Sequence, residues 1–297
     1  MKKNTQMKKI GFIGIGVMGY HMASHLLKKK NLINIIERKS AKTKAFTKKY
    51  SDTNKIKVYS SLKELTLNSE IIITCVGNDN DLKDVYLKKN SIIDHINSNS
   101  IIIDHSTASV DITKILYKKF KNKNCDFFDA PVSGGEDGAI LGKLSIMVGG
   151  DKKKFSKLTN ILDPYYKSLI YMGNSGSGQV AKMVNQICVA SIIQGLAEGL
   201  TLAKKNNIKI NSLIQVIKNG AAQSWQLENR ALTMWNNEFD FGFMNKLMLK
   251  DLNIIFNELK KNKLNLPVTK IVRKFYIELV KRGYEKEDTS NLIRLLK

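Results

Sequence analysis

The chain has 297 residues, 43% of them hydrophobic, with a mean hydropathy of -0.23, enough for two packed cores and too apolar for a disordered chain. No uninterrupted apolar run reaches the roughly 18–20 residues of a membrane-spanning helix, and the basic start Met1–Lys9 leads into a glycine-punctuated strand rather than a signal-peptide core, so the sequence reads as cytoplasmic with no membrane partner. The formal charge of +23 comes from lysines scattered along the chain without interleaved aromatics, which argues against a nucleic-acid partner and for solvated lysine faces that attract anionic ligands.

In chain order, residues 10–15 form a short apolar strand and Val17–Lys30 has helical periodicity, followed at once by a strand over Leu32–Ile36. Further β-rich runs are Ile56–Tyr59, Glu70–Val76, Ser100–Asp104 and Asp126–Asp129, with amphipathic stretches at Asp79–Leu87 and Ser109–Phe120 between them. Apolar strands alternating with helices indicate a mostly parallel sheet covered on both faces. Leu144–Val148 and Leu169–Met172 extend it.

After Gly173 the pattern turns helical. Gly176-Ser177-Gly178 opens a long stretch, Gln179–Lys205, that is apolar on almost every side and therefore reads as a buried helix between domains. The expected fold is an α/β Rossmann-type N-terminal domain over residues 1–173, with 1–9 a basic tail. An all-α C-terminal domain over 174–297 is joined to it by this long helix.

Gly14-Ile15-Gly16-Val17-Met18-Gly19 is a GxGxxG triplet placed directly between a strand and a helix. There the glycines give a tight turn, close approach to a pyrophosphate and close helix packing, and the helix N-terminus faces the phosphates. Glu37 at the end of the second strand suits ribose hydroxyls and NAD, whereas Arg38 and Lys39 suit the 2′-phosphate of NADP. The reading leans to NAD and keeps NADP open. Cys75, Cys125 and Cys188 show no pairing or metal spacing and read as reduced core residues; His21 and His25 stand at helical spacing without a carboxylate motif, so no metal is expected.

Four stretches in order resemble the β-hydroxyacid dehydrogenase family, whose members include 3-hydroxyisobutyrate dehydrogenase and tartronate semialdehyde reductase. They are Gly11–Ala23, Asp129-Ala-Pro-Val-Ser-Gly-Gly-Glu-Asp-Gly-Ala139, Gly176-Ser-Gly-Gln-Val-Ala-Lys-Met-Val-Asn-Gln186 and Lys250-Asp251-Leu252. The resemblance implies reversible oxidation of a small anionic 3-hydroxy acid to its semialdehyde or keto acid. It casts Lys182 as general acid/base, with Asn185 and Lys250 orienting the substrate and Lys250 also near the cofactor. Ser133, Gly134 and Gly135 would hold the substrate carboxylate. Thr107 would contact the cofactor, and Val76 and Gly77 would line the nicotinamide side. The family also implies a homodimer or homotetramer. His21 stands where most members have proline, Val76-Gly77 replaces Leu-Pro, and Gln186 replaces a second asparagine, so the substrate is left open.

Elementary physics supports those roles. Lys182, Asn185 and Gln186 at i, i+3 and i+4 share a helix face, and the helix N-terminus together with apolar surroundings would lower an ammonium's pKa toward the operating pH. Ser133-Gly134-Gly135 can present backbone N–H groups as an anion nest. Trp225 reads equally as a pocket wall or a core aromatic. A non-catalytic dinucleotide-binding protein of the same fold, or a related imine reductase, is the alternative, and Lys182 speaks against both.

Overall fold

The structure is a computed structural model that describes residues 7–29, 31–36 and 40–296. The chain divides into two compact units, Met1–Lys182 and Met183–Lys297. In the first, strands and helices alternate: β1 (Lys9–Ile13), α1 (Val17–Lys28), β2 (Leu32–Ile36), α2 (Ala41–Tyr50), β3 (Ile56–Tyr59), α3 (Leu62–Leu67), β4 (Ile71–Thr74), α4 (Asp79–Tyr86), α5 (Ile92–His95), β5 (Ile101–Asp104) and α6 (Val110–Lys121). Then come β6 (Asp126–Asp129), β7 (Val132–Ser133), α7 (Gly135–Leu141), β8 (Leu144–Gly149), α8 (Ser156–Leu162), β9 (Tyr166–Gly173) and the start of α9 (Ser177–Lys205).

The sheet runs β3-β2-β1-β4-β5-β6-β8-β7, with β9 on β8. Pairings from β3 to β6 are parallel, β8 is antiparallel to β6 and β7, and β9 is parallel to β8. The first six strands thus have the Rossmann order, with the chain reversing direction across the sheet between β1 and β4. Isoleucine-rich strands suit this because both faces are covered. Ile10, Phe12, Ile33, Ile35, Ile73 and Phe128 pack against α1, α2 and α8 on one face, and Ile13, Ile72, Ile102 and Phe127 pack against α4 and α6 on the other. Short side chains start the helices: Ser40, Ser61, Asn78 and Ser109 each accept a backbone N–H at the first turn.

The second unit holds the rest of α9, then α10 (Ile210–Ile217), α11 (Trp225–Asn236), α12 (Asn245–Asn262), α13 (Pro267–Lys281) and a 3₁₀ segment, Thr289–Leu296. The described residues after 182 carry no strand, only an isolated bridge between Met244 and Asp288.

By its contacts the first unit runs on to Lys182, because the opening turn of α9 hydrogen-bonds to the end of β6 at Asp129. Two expectations change. Helix α9 is not buried all round: Ala190, Ile193, Ala197 and Leu200 are covered, while Val180, Val184, Ile192 and Leu202 are 41–67% exposed. It is also long and apolar enough to cross a membrane by length and composition alone, which the search for uninterrupted apolar runs passed over. On its covered side Gln179 hydrogen-bonds to the Ser106–Ala108 backbone and Gln186 to Asp251. None of the three cysteines is in a disulfide, and only Cys125 is buried, with Cys75 half-buried and Cys188 exposed.

Left-handed backbone outside glycine falls, among the described residues, on Asn54, Asn90, Asn99, Asn124, Asn207, Asn237 and Lys263. Asparagine tolerates that region because its short side chain can hydrogen-bond locally.

Candidate functional site

The turn from β1 into α1 is built by contact. Gly14 has φ +100, and a Cβ there would lie 2.1 Å from the Cys75 carbonyl oxygen. A Cβ on Gly19 would lie 2.0 Å from the Gly14 carbonyl oxygen, so α1 can lie this close to the turn only as glycine. At Gly16 nothing lies within 4 Å. Gly16 also begins α1 without a side-chain cap, and the first turn carries no acid, so the N–H groups of Val17, Met18 and Gly19 are left for an anion. Ile15 is 7% exposed and packs into the core, so its part in such a site is its backbone. A tight turn, an open approach at the middle glycine and a helix N-terminus fit a dinucleotide's pyrophosphate. Glu37, Arg38 and Lys39 lie outside the described residues.

The strands beside this turn end level. Ile13 pairs with Thr74, Thr74 with Asp104, and Asp104 with Asp129, so the loops after β1, β4, β5 and β6 leave one edge of the sheet together. That edge carries Gly14–Gly19, Val76–Gly77 and Thr107. Ser106 Oγ accepts the Val76 N–H at 2.9 Å, and Asp81 Oδ2 accepts the Gly77 N–H at 2.9 Å. Beneath them Asp104 Oδ1 accepts from Thr74 Oγ1 at 2.7 Å and from the Ser106 N–H at 3.0 Å. Complete burial pushes the Asp104 carboxyl up to about 6 against the pull of the Ser106 and Thr74 hydrogen bonds. Its neighbour His105 is pushed down to about 4 by burial, its ring nitrogens 2.6 Å from the Ala130 carbonyl oxygen and 2.8 Å from Tyr165 Oη.

The helix that carries Lys182 starts from the same edge. Asp129 Oδ1 accepts the Gly176 N–H at 2.8 Å and Oδ2 accepts the Gln179 N–H at 3.1 Å; burial raises this carboxyl while those backbone donors lower it. The Gln179 carboxamide accepts the Ala108 N–H at 3.1 Å through Oε1 and donates to the Ser106 carbonyl at 2.8 Å through Nε2. Three residues on, Lys182 is 8% exposed. The structure therefore joins the Val76 loop, the segment around Thr107 and the Lys182 helix in one buried polar frame.

Asp129 also begins the run that reaches Ser133, Gly134 and Gly135. Ser133 ends β7 paired with Ser145. Gly134 and Gly135 have φ +124 and +62 and lead into α7. Positive φ at two successive positions is backbone that favours glycine over any residue with a Cβ. Glu136, the next residue, meets His21 Nε2 at 3.8 Å and Lys42 Nζ at 3.9 Å, and His25 Nε2 lies 3.1 and 3.0 Å from the Ala139 and Ile140 carbonyl oxygens. Both histidines thus tie α1 to α7, and burial lowers the pKa of His21 despite Glu136. Among the described residues no cluster of three or more His, Cys, Asp or Glu could hold a metal.

In the second unit, Asn185 Nδ2 donates to Gln186 Oε1 at 2.8 Å and Gln186 Nε2 donates to Asp251 Oδ2 at 2.6 Å. Lys250 Nζ lies 2.9 Å from Asp251 Oδ1. With Gln186 and Asp251 both 3% exposed, the expected Asn185 and Lys250 are linked through two buried residues. Trp225 is neither a core aromatic nor isolated: it is 48% exposed, with the Arg230 guanidinium 4.8 Å from its ring and 4.7 Å from that of Phe241. Ser106, Gln179, Asp129 and Asp251 were given no role from sequence. Three of them stand inside or beside motifs already quoted, and the clue was a polar residue within an apolar segment.

Residues 9–173 match the family model of the NAD binding domain of 6-phosphogluconate dehydrogenase, and residues 176–296 match that of the NAD-binding domain of NADP-dependent 3-hydroxyisobutyrate dehydrogenase. The chain is 41% identical to an uncharacterized oxidoreductase of Shewanella frigidimarina over 98% of each chain. It is 30% identical to the mitochondrial 3-hydroxyisobutyrate dehydrogenase of Drosophila melanogaster, over 98% of this chain and 90% of that one. A solved structure of 3-hydroxyisobutyrate dehydrogenase from Mycobacterium tuberculosis with L-serine is similar at a TM-score of 0.87 and 24% identity, covering 98% of this chain and 100% of that one.

Proposed function

This chain belongs to the β-hydroxyacid dehydrogenase family, and from that premise we propose that it interconverts a small 3-hydroxy carboxylic acid and its semialdehyde or keto acid, with Lys182 as the proton-transfer group. It is an NAD(P)-binding oxidoreductase; NAD is the proposed cofactor, through Glu37, with Arg38 and Lys39 the residues that would favour NADP. The observation that carries the reading is a lysine 8% exposed, on a helix whose first turn is held from the same edge of the sheet that bears the phosphate turn and the Thr107 loop.

The turn at Gly14–Gly19 would hold the pyrophosphate of a nicotinamide cofactor, and Val76, Gly77 and Thr107 would flank its nicotinamide; such a cofactor would supply the hydride chemistry there. The backbone N–H groups of Ser133, Gly134 and Gly135 hold the substrate carboxylate, with charge-assisted hydrogen bonds worth about 1.5–3 kcal/mol each. In oxidation Lys182 Nζ, as the neutral amine, takes the proton from the substrate hydroxyl; in reduction the ammonium returns it. Asn185 and Lys250 orient the substrate in this proposal, and the Gln186–Asp251 pair fixes their side chains.

The test is a panel of 3-hydroxy acids, L-serine included because the Mycobacterium structure was solved with it, assayed with NAD and NADP. Lys182→Ala lowers turnover on the best substrate by about 10²–10⁴ with little change in NAD(P)H binding. Near-native turnover in that variant removes Lys182 from the mechanism. A chain that binds NAD(P)H but oxidises no member of the panel is a dinucleotide-binding protein instead.

A further inference from the structure

The side chain of Gln179 is fully buried and spends both of its functions on one stretch of chain. Its acceptor takes the Ala108 N–H and its donor meets the Ser106 carbonyl, at 3.1 and 2.8 Å, so the carboxamide grips the backbone on either side of Thr107. Its own N–H is taken by Asp129. We infer that Gln179 is a positioning residue that sets the Thr107 segment, and through Ser106 the Val76 turn, against the start of the helix that carries Lys182. The inference rests on the dehydrogenase reading for what Thr107 and Lys182 do, but the clamp itself stands on the hydrogen bonds.

The chemistry of the clamp is specific. A carboxamide offers one donor and one acceptor at a fixed spacing. Leucine fills a similar volume but leaves the Ala108 N–H and the Ser106 carbonyl buried without partners. An ionised carboxylate keeps the Ala108 bond and turns an oxygen toward the Ser106 carbonyl, which is repulsive. A protonated carboxyl restores both bonds, with its O–H donating to Ser106. Burial favours that protonated form. The other titrating groups around it are Lys182, one turn on in the same helix, Asp129, bonded to the Gln179 N–H, Asp104, bonded to the Ser106 N–H, His105 between Asp104 and Ser106, and Asp79, bonded to Ser109 beside Ala108. All of them are present in the native chain, so the native titration is the baseline for any variant.

The experiment follows NAD(P)H binding by nicotinamide fluorescence, together with kcat and KM, from pH 5 to 8 in the native chain, Gln179→Leu and Gln179→Glu. The expected result is that Gln179→Leu binds NAD(P)H about tenfold more weakly at every pH and loses about 10–100-fold in kcat, with a smaller change in substrate KM. Gln179→Glu is near native at the acid end. It falls toward the leucine variant as pH rises, adding one ionisation that the native profile lacks. Native behaviour in Gln179→Leu overturns the inference, and so does a Gln179→Glu variant whose difference from native is the same at every pH. Should the leucine variant fail to fold, the added ionisation in Gln179→Glu decides alone. Either overturning result beside native oxidation of hydroxy acids leaves the enzymatic reading intact. The expected pattern in NAD(P)H binding, without hydroxy-acid turnover, keeps the clamp and removes the proposed substrate.

Discussion

Two glycine turns lead from strands into helices, one before α1 and one before α7, and they need glycine for opposite reasons. In the first, the protein itself forbids a side chain: a Cβ on Gly14 or Gly19 would lie 2.1 or 2.0 Å from a carbonyl oxygen. In the second there is room, with the nearest atom 3.4 Å from a Cβ on Gly134 and nothing within 4 Å at Gly135. What Gly134 and Gly135 need is backbone freedom, at φ +124 and +62. The first turn is thus held by packing and its loss is felt in the fold. The second is held by conformation, and its loss should be felt first where backbone N–H groups must meet a carboxylate.

Gly19→Ala gives the largest expected effect. A methyl group cannot share space with the Gly14 carbonyl, so α1 must move, at a cost of about 3 kcal/mol in stability and most of the NAD(P)H affinity. Thermal melts and fluorescence titration check both; an unshifted melt would mean the turn yields easily. Gly134→Val comes next, with kcat/KM for the hydroxy acid falling about 10²-fold through backbone strain of about 1–3 kcal/mol, while NAD(P)H binding persists. If the variant loses cofactor and substrate together, the two turns are not separable. Gly16→Ala is the sharpest contrast within the first turn. With no protein atom in reach of the new methyl, the melt should stay put while NAD(P)H binding weakens about tenfold.

The smallest expected change is in the native chain itself and concerns the strand ends below both turns. Asp104, raised to about 6, holds its proton better in the folded chain than in the unfolded one. Its contribution is present below about pH 4 and is lost as pH rises through 6. His105, lowered to about 4, works the other way: its contribution is present above about pH 6.5 and is lost as pH falls toward 4. Each is worth about 3 kcal/mol across its window, and because they oppose, their joint contribution to stability should change little between pH 4 and 6.5. Asp104→Asn should leave stability that falls on acidification, and His105→Gln stability that falls on alkalinisation. Urea melts at several pH values read this directly, and parallel native and variant profiles would refute it.

The fold was legible where one physical signal dominated. Isoleucine runs such as Ile71–Thr74 and Ile101–Asp104 are buried on both faces and declare themselves, and the Gly14–Gly19 turn is written in residues whose side chains are absent. Helices α2 and α3 were not anticipated because their apolar positions are few and their caps are single serines. Helix α9 was misjudged because hydrophobicity reports what a face could bury, not whether this chain covers it. The site residues Lys182, Ser133 and Thr107 came from motifs, whereas Gln179 and Asp129 act through partners some fifty to seventy positions away in sequence, a separation that periodicity cannot carry. Glu37, Arg38 and Lys39 lie outside the described residues, so the cofactor question is best approached through Glu37→Ala and Arg38→Ala and their ratio of kcat/KM for NAD and NADP.

The left-handed asparagines bear on the unfolded chain as much as on the folded one. At Asn54, Asn90, Asn99, Asn124, Asn207 and Asn237 the backbone sits where glycine would sit without strain, yet glycine would leave the unfolded ensemble freer. A side chain that a site accommodates is worth about 0.4–1 kcal/mol over glycine through that ensemble alone. These turns therefore secure the geometry of glycine while restricting the states the chain visits before it folds. Replacing them with glycine would keep the backbone conformation of the turn, remove the local side-chain hydrogen bonds and free the unfolded chain, so the protein should become easier to unfold. Lys263, which lacks the short amide that eases this conformation, is the position where the same logic runs toward gain.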